Sequence, residues 1–211
     1  MDGSMQGVIF DFGGVLRTPQ PLFLSRVAQY GLTRDDVMAF FMGPDAVEAQ
    51  IAGRAFGIAD MVPAVERALT PVLGDRAREA AEVVLSVYVD SELSAWDESI
   101  VQLLEELHDS GLKIGLLANG PAEVEGAYFA RLTGRSVDAT VLSGRDGVGK
   151  PMARAYELIA ERLGLGLTQC FFVDDNAHNV EAGRTLGMPG CHYTGDVALL
   201  LAAMRSVGIA T

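Results

Sequence analysis

Lysine is nearly missing from this 211-residue chain: of 16 basic residues, Lys113 and Lys150 are lysines and the other 14 are arginines. Positive charge is short altogether, and the formal net charge is −12. So acidic a chain repels a polyanion, and no nucleic-acid partner is expected. A small phosphorylated ligand is still permitted, because a divalent cation neutralises a site locally. No apolar run approaches the ~18 residues needed to cross a bilayer, and the first residues carry no signal-peptide pattern. The expectation is a cytoplasmic protein with no membrane partner. Cysteine is limited to Cys170 and Cys191, beside or inside predicted strands. That suits two buried thiols in a reducing compartment better than a disulfide. There is no internal repeat and no low-complexity segment. Met1 to Ser4, ahead of Met5, read as an artificial addition outside the fold. In a chain that defaults to arginine, the lysine kept at position 150 points to a need for a compact point charge.

What the chain does have is polar residues at the ends of apolar runs. Gly7-Val8-Ile9-Phe10 ends in Asp11, followed by Phe12-Gly13-Gly14. A run of β-formers ending in a carboxylate and a glycine pair reads as a strand delivering an acid to a tight turn. Ile114-Gly115-Leu116-Leu117-Ala118 ends in Asn119-Gly120, and Phe171-Phe172-Val173 ends in Asp174-Asp175-Asn176. Lys150-Pro151 lies between them. If the strands are parallel, their carboxyl ends share one edge of the sheet, where open α/β folds bind ligands. That gathers three carboxylates and one ammonium into one crevice.

From residue 97 onward the apolar period alternates. Helices are predicted over 97–110, 121–132, 151–164, 177–186 and 195–207, with strands over 113–118, 138–142, 170–174 and 190–193. With a strand over 6–11 this makes an α/β fold: a Rossmann-like parallel sheet of at least five strands flanked by helices. Residues 18–95 differ. They carry amphipathic helical stretches over 20–30, 33–42, 44–52, 58–70 and 75–89, and no convincing strand. The expected division is a core of 5–17 and 96–211 with an inserted helical cap of 18–95. An insertion at the carboxyl end of a strand stands over the crevice and can exclude water and select substrate. Tyr88 and Trp96 at the junction read as packing anchors. His178 reads as an exposed residue of a first helical turn, His192 as part of the last strand, and His108 as a helix-surface residue.

Together these features resemble the haloacid dehalogenase superfamily, specifically its phosphatase-like members with a small helical cap after the first motif. The motifs stand in order: Asp11 after a strand, Ala118-Asn119 at a strand end, Lys150-Pro151 before a helix, and Phe172-Val173-Asp174-Asp175-Asn176 with Asn179 and Gly183 further on. The resemblance implies that Asp11 attacks phosphorus to form an aspartyl-phosphate. It implies that Lys150 holds the Asp11 pKa down and neutralises the transferring group. Mg²⁺ would be bound by Asp11, the Gly13 carbonyl and Asp175, with Asp174 oriented toward Lys150 or a metal-bound water. Ala118, Asn119, Gly120 and Lys150 would surround the phosphate oxygens.

Two positions depart from that pattern. Family phosphatases carry a second Asp two residues after the nucleophile; here it is Gly13. Losing a positioned acid–base group typically costs ~10²–10⁴ in rate. Gly13 is also expected to hold a backbone conformation unfriendly to a side chain. Ala118 replaces a Ser or Thr that hydrogen-bonds the phosphoryl group, a loss of roughly 1.5–3 kcal/mol. The expected function is therefore a Mg²⁺-dependent phosphatase acting on a small phosphorylated metabolite. The alternatives are a catalytically silent ligand- or partner-binding relative and a 2-haloacid dehalogenase. Neither the substrate nor the oligomeric state is legible.

Overall fold

A computed structural model describes residues 4–42 and 53–211. At its centre is a five-stranded parallel sheet in the order β5-β4-β1-β6-β7, built from β1 (Gly7–Phe10), β4 (Lys113–Ala118), β5 (Ala139–Leu142), β6 (Cys170–Asp174) and β7 (Gly190–His192). The fold is the mixed α/β, Rossmann-like one expected from the sequence. The chain starts in the middle strand, builds outward through β4 to β5, then returns to the other side of β1 with β6. The strand order therefore reverses at β1, and its carboxyl end is the crevice where such sheets bind ligands.

Strand alternation sends neighbouring side chains to opposite faces. Val8, Phe10, Ile114, Leu116, Phe171 and Val173 pack in one buried cluster, and Ile9, Leu117, Cys170 and Phe172 in another. The first is covered by α5 (Glu98–Asp109) and α10 (Val197–Ser206). α5 presents Ile100, Val101, Leu103, Leu104 and Leu107 at helical spacing. It starts where the Asp97 carboxylate accepts from the Ser99 and Ile100 N–H groups. The second cluster is covered by α8 (Ala153–Leu163), which ends at Gly164 with φ 72°. α8 approaches β4 closely enough that a Cβ on Gly115 would sit 3.1 Å from Ile159.

Between β1 and β4 the chain leaves the sheet and returns through a ribbon the sequence did not disclose. β2 (Arg17–Pro19) pairs antiparallel with β3 (Ser94–Trp96), Arg17 opposite Trp96. Both lie in or beside the stretch read as strand-free, a correction. Each is three residues long, too short to show a period of two. Between them lie α1 (Pro21–Ala28), α2 (Arg34–Met42), α3 (Ile58–Leu73) and α4 (Ala77–Leu85). These inserted helices share an apolar cluster that includes Phe23, Val27, Met61, Val65, Val84 and Leu93 and no residue of the five-stranded sheet. The helix expected over 44–52 lies outside the described residues.

The helix expected over 121–132 is broken. α6 (Glu123–Ala127) stops at Tyr128, whose φ of −134° is not helical, and a single 3₁₀ turn follows. Tyr128 is instead buried beneath the Arg17 guanidinium, 3.7 Å from the ring centroid, and its hydroxyl donates to the Val87 carbonyl. A short helix α7 (Ser143–Asp146) follows β5 and completes the set, with α9 (Ala177–Thr185) after β6. Cys170 is buried and Cys191 half-buried, both as free thiols. Among the described residues no helix is long and apolar enough to cross a membrane.

Candidate active site

β1 ends at Phe10, and the Asp11 N–H donates to the Val173 carbonyl of β6. That bond aims the next carboxylate off the sheet edge beside Asp174. Lys150, 139 residues away in sequence, places its ammonium 2.6 Å from Asp11 Oδ1 and 2.7 Å from Asp174 Oδ2. All three are buried. One oxygen from each of Asp11, Asp174 and Asp175 lies within 4.8 Å of the others. The lysine ammonium stands over the Phe172 ring, with Nζ 5.7 Å from the ring centroid.

Several contacts hold these groups in place. Asp174 accepts from the Asn176 N–H at 2.7 Å and from the Asn179 carboxamide at 3.2 Å to each oxygen. Asn179 was given no role by sequence reasoning. Its signal was present in the spacing from Asp174, which puts it one turn into α9. The Asp175 carboxylate lies over the loop after β1: a Cβ on Gly14, whose φ is +76°, would sit 1.9 Å from Asp175 Oδ2. Only glycine fits there. Gly13 differs, because a Cβ on it would meet nothing within 4 Å and its φ is not positive. The restrictive backbone expected at Gly13 belongs to Gly14.

Asn119 and Gly120 each hold a partner within the protein. The Asn119 carboxamide donates to the Lys150 carbonyl and accepts from the Lys150 N–H, both at 2.8 Å. The Gly120 N–H donates to the Ser143 hydroxyl at 2.9 Å. The Asn119 side chain clamps the backbone of Lys150, and Ser143, which carried no sequence signal, fixes the turn. Ala118 is buried at the end of β4 and offers no hydrogen bond from its side chain. His192 ends β7 as read, with Nε2 3.0 Å from the Asp175 carbonyl. His178 is exposed and lies at the rim of the crevice.

The electrostatics are those of a cluster short of positive charge. Three ionised carboxylates and one ammonium sum to −2. Burial pushes the Asp11 carboxyl well above its ordinary value; Lys150 pulls it down, and Asp174 and Asp175 push it up again. Lysine was expected to win this contest; it loses because burial penalises every charge while only one ammonium compensates. Burial, then Asp174, raises Asp175 to about 6. Burial works against the Lys150 ammonium, yet Asp11 and Asp174 hold its pKa above the ordinary lysine value. Hard oxygen donors with a twofold negative excess fit Mg²⁺. Above the cluster opens a cavity of about 1080 Å³ between the sheet edge and the inserted helices. Tyr88 lines this cavity besides packing on Phe41.

Known proteins are similar in sequence and in fold. The chain is 40% identical to a phosphatase of Mycobacterium tuberculosis over 87 residues, which is 40% of each chain. It is 24% identical to a sesquiterpene phosphatase of Aspergillus oryzae over 97% of this chain and 98% of that one. In fold it is similar to the L-2-haloacid dehalogenase of Xanthobacter autotrophicus, at TM-score 0.67 and 21% identity over 98% of this chain and 84% of that one. A HAD-family enzyme of Bacteroides thetaiotaomicron in complex with magnesium and inorganic phosphate is similar at TM-score 0.63 and 16% identity, over 92% of this chain and 96% of that one. The description of haloacid dehalogenase-like hydrolases matches residues 5–187, from β1 through α9 and so across every residue of the carboxylate cluster. Strand order, buried lysine and acidic cluster agree with that match: the chain belongs to the haloacid dehalogenase-like hydrolase family.

Proposed function

We propose that this hydrolase is a Mg²⁺-dependent phosphatase of small phosphate monoesters that works through an aspartyl-phosphate on Asp11. The observation that carries the reading is the excess of buried carboxylate. Asp11 and Asp174 pair with one ammonium and Asp175 lies beside them, a charge pattern that suits a divalent cation and the phosphoryl group it accompanies. Asp11, the Gly13 carbonyl and Asp175 would hold the ion, which supplies charge neutralisation for phosphoryl oxygens. Asp174 orients Lys150.

An Asp11 carboxylate oxygen attacks phosphorus, and the ester P–O bond breaks with its electron pair leaving on the alcohol oxygen. Gly13 has no side chain to protonate that oxygen, so the proton comes from water. A second water then attacks phosphorus, giving its proton to the hydroxide left by the first; the bond to Asp11 breaks with its electron pair returning to the carboxylate, and inorganic phosphate leaves. Lys150 offsets part of the negative charge on Asp11 and on the transferring oxygens, and the bound ion would offset the rest. The inserted helices act as a cap over the crevice.

One observation favours a second reading. Without an acid at position 13, the same Asp11 could displace halide from carbon in a 2-haloacid, a reaction that leaves Asp174 and Asp175 without a cation to balance. The test is phosphate release from an aryl phosphate with Mg²⁺, run beside halide release from a 2-chloroacid without metal, with Asp11→Asn as the blank for both. Phosphate release above the blank supports the phosphatase. Metal-free halide release alone replaces it with the dehalogenase. Mg²⁺ binding with neither product indicates a ligand-binding relative.

A further inference from the structure

The cavity above Asp11 is walled unevenly. Its floor carries Asp11, Lys150 and Asp175, whereas the inserted helices contribute the apolar side chains Leu24, Met38 and Phe41, all half-buried. Phe41 stands edge-to-face on Tyr88, ring centroids 5.3 Å apart, which makes a firm aromatic corner. No acidic side chain of the inserted helices lines the cavity among the described residues; the charged side chains on that side are the arginines 34 and 54. In a chain of net charge −12, that is a local preference for an anion entering past an apolar wall.

Volume decides what kind of anion. About 1080 Å³ is at the top of the ~300–1,000 Å³ range of sites that hold drug-sized ligands. A phosphoryl group on a two-carbon polar tail would leave Met38 and Phe41 facing water. A hydrocarbon body would cover them and gain the transfer free energy of every methylene buried.

We propose that the substrate is a phosphate monoester of a bulky, largely apolar alcohol, with its phosphoryl group at Asp11 and Lys150 and its hydrocarbon body against Leu24, Met38 and Phe41. This deepens the phosphatase reading and rests on it. The test is kcat/KM with Mg²⁺ across the n-alkyl phosphates from ethyl to decyl, each below its micelle concentration. The expected result is a rise with each added methylene, up to about fourfold where the methylene is fully buried. Leu24→Glu and Met38→Glu, in different helices, should each flatten that slope. Calorimetric binding of decylphosphonate, to the wild type and to Asp11→Asn, should be at least tenfold tighter than that of ethylphosphonate. Turnover with a flat or falling slope overturns the proposal and leaves the phosphatase reading standing. No turnover, but tighter binding of decylphosphonate, keeps the apolar subsite and overturns the phosphatase reading. No turnover and no preference between the phosphonates overturns both.

Discussion

Two aspartate clusters flank the same sheet and behave oppositely. Asp146, in α7 after β5, is nearly buried and meets two guanidiniums: Arg162 donates to both of its oxygens at 2.7 and 3.0 Å, and Arg145 at 2.8 Å. The Leu142 N–H adds a third donor. Burial works against its charge, but the hydrogen bonds from Arg162 and Arg145 win and hold the carboxyl far below its ordinary value. At the other cluster three carboxylates stand against one ammonium, and burial wins at Asp11 and Asp175. Residue type is alike; Asp11 and Asp174 are the more deeply buried, and the cation count differs. With Glu125 also paired to Arg145, the Asp146 cluster balances its charges and staples β5 to α8. A cluster left negative stores an unfavourable charge in the fold, and a cation from solution is what relieves it.

The strongest way to break this comparison is to remove the nucleophile. Asp11→Asn should lower phosphate release on the order of 10⁴-fold or more. Beryllium fluoride should add to Asp11 in the wild type and nowhere in the variant. Residual turnover close to wild type would end the covalent reading.

Lys150→Met attacks the other half of the unbalanced cluster. Removing one partner of a buried ion pair costs about 3–5 kcal/mol. Denaturant unfolding should show that loss without metal and a smaller one in excess Mg²⁺. The same loss with and without Mg²⁺ would mean that the cluster does not take a cation.

The pH dependence separates the two clusters by sign. Asp175 titrates near 6 in the fold, above its ordinary value of about 3.9 when unfolded. The folded state therefore holds more protons between those values, and metal-free stability should fall as pH rises through that window, by roughly 2–3 kcal/mol. Asp175→Asn should lessen the fall and leave the part that Asp11 contributes, and saturating Mg²⁺ should mask both. Asp146 has the opposite sign: its contribution is present above pH ~4 and lost as pH falls further. Asp146→Asn should cost about 2–3 kcal/mol at neutral pH and leave the window near pH 6 intact. If both variants shift the same part of the profile, the contrast between the clusters is wrong.

The smallest expected effect is a gain. Ala118→Ser restores a hydroxyl at the end of β4 and should raise kcat by about 10-fold, and by at most about 150-fold. Gly13→Asp is sterically open, since a Cβ there meets no neighbour within 4 Å. If both variants fold and turnover stays at the Asp11→Asn level, the missing groups are not what limits the site.

Most of the sheet was legible because each strand carries its own apolar run and each helix its own stripe. The strand over 170–174 and the helix limits near 98 and 164 follow from local rules: burial on both faces, the Asp97 cap and the Gly164 stop. The ribbon was not legible, because Arg17–Pro19 is defined by a partner 77 residues away rather than by a pattern of its own. The Asn119 clamp was missed for a related reason. A carboxamide at a strand end suits phosphate and backbone equally, and only the position of Lys150 decides between them.

By itself the sequence determined which acids end which strands, that Lys150 is the ammonium among arginines, and that an α/β sheet carries a helical insertion. Those features are local: they depend on periodicity and on residues adjacent in the chain. Tertiary structure decided the rest. Placing β1 between β4 and β6 brings Asp11, Lys150 and Asp174 within hydrogen-bonding reach, and burial at that edge turns ordinary carboxylates into proton-holding, cation-seeking ones. Laying the inserted helices over the edge encloses the apolar cavity. Desolvation and long-range charge depend on what surrounds a group in space, and no window along the chain contains that information.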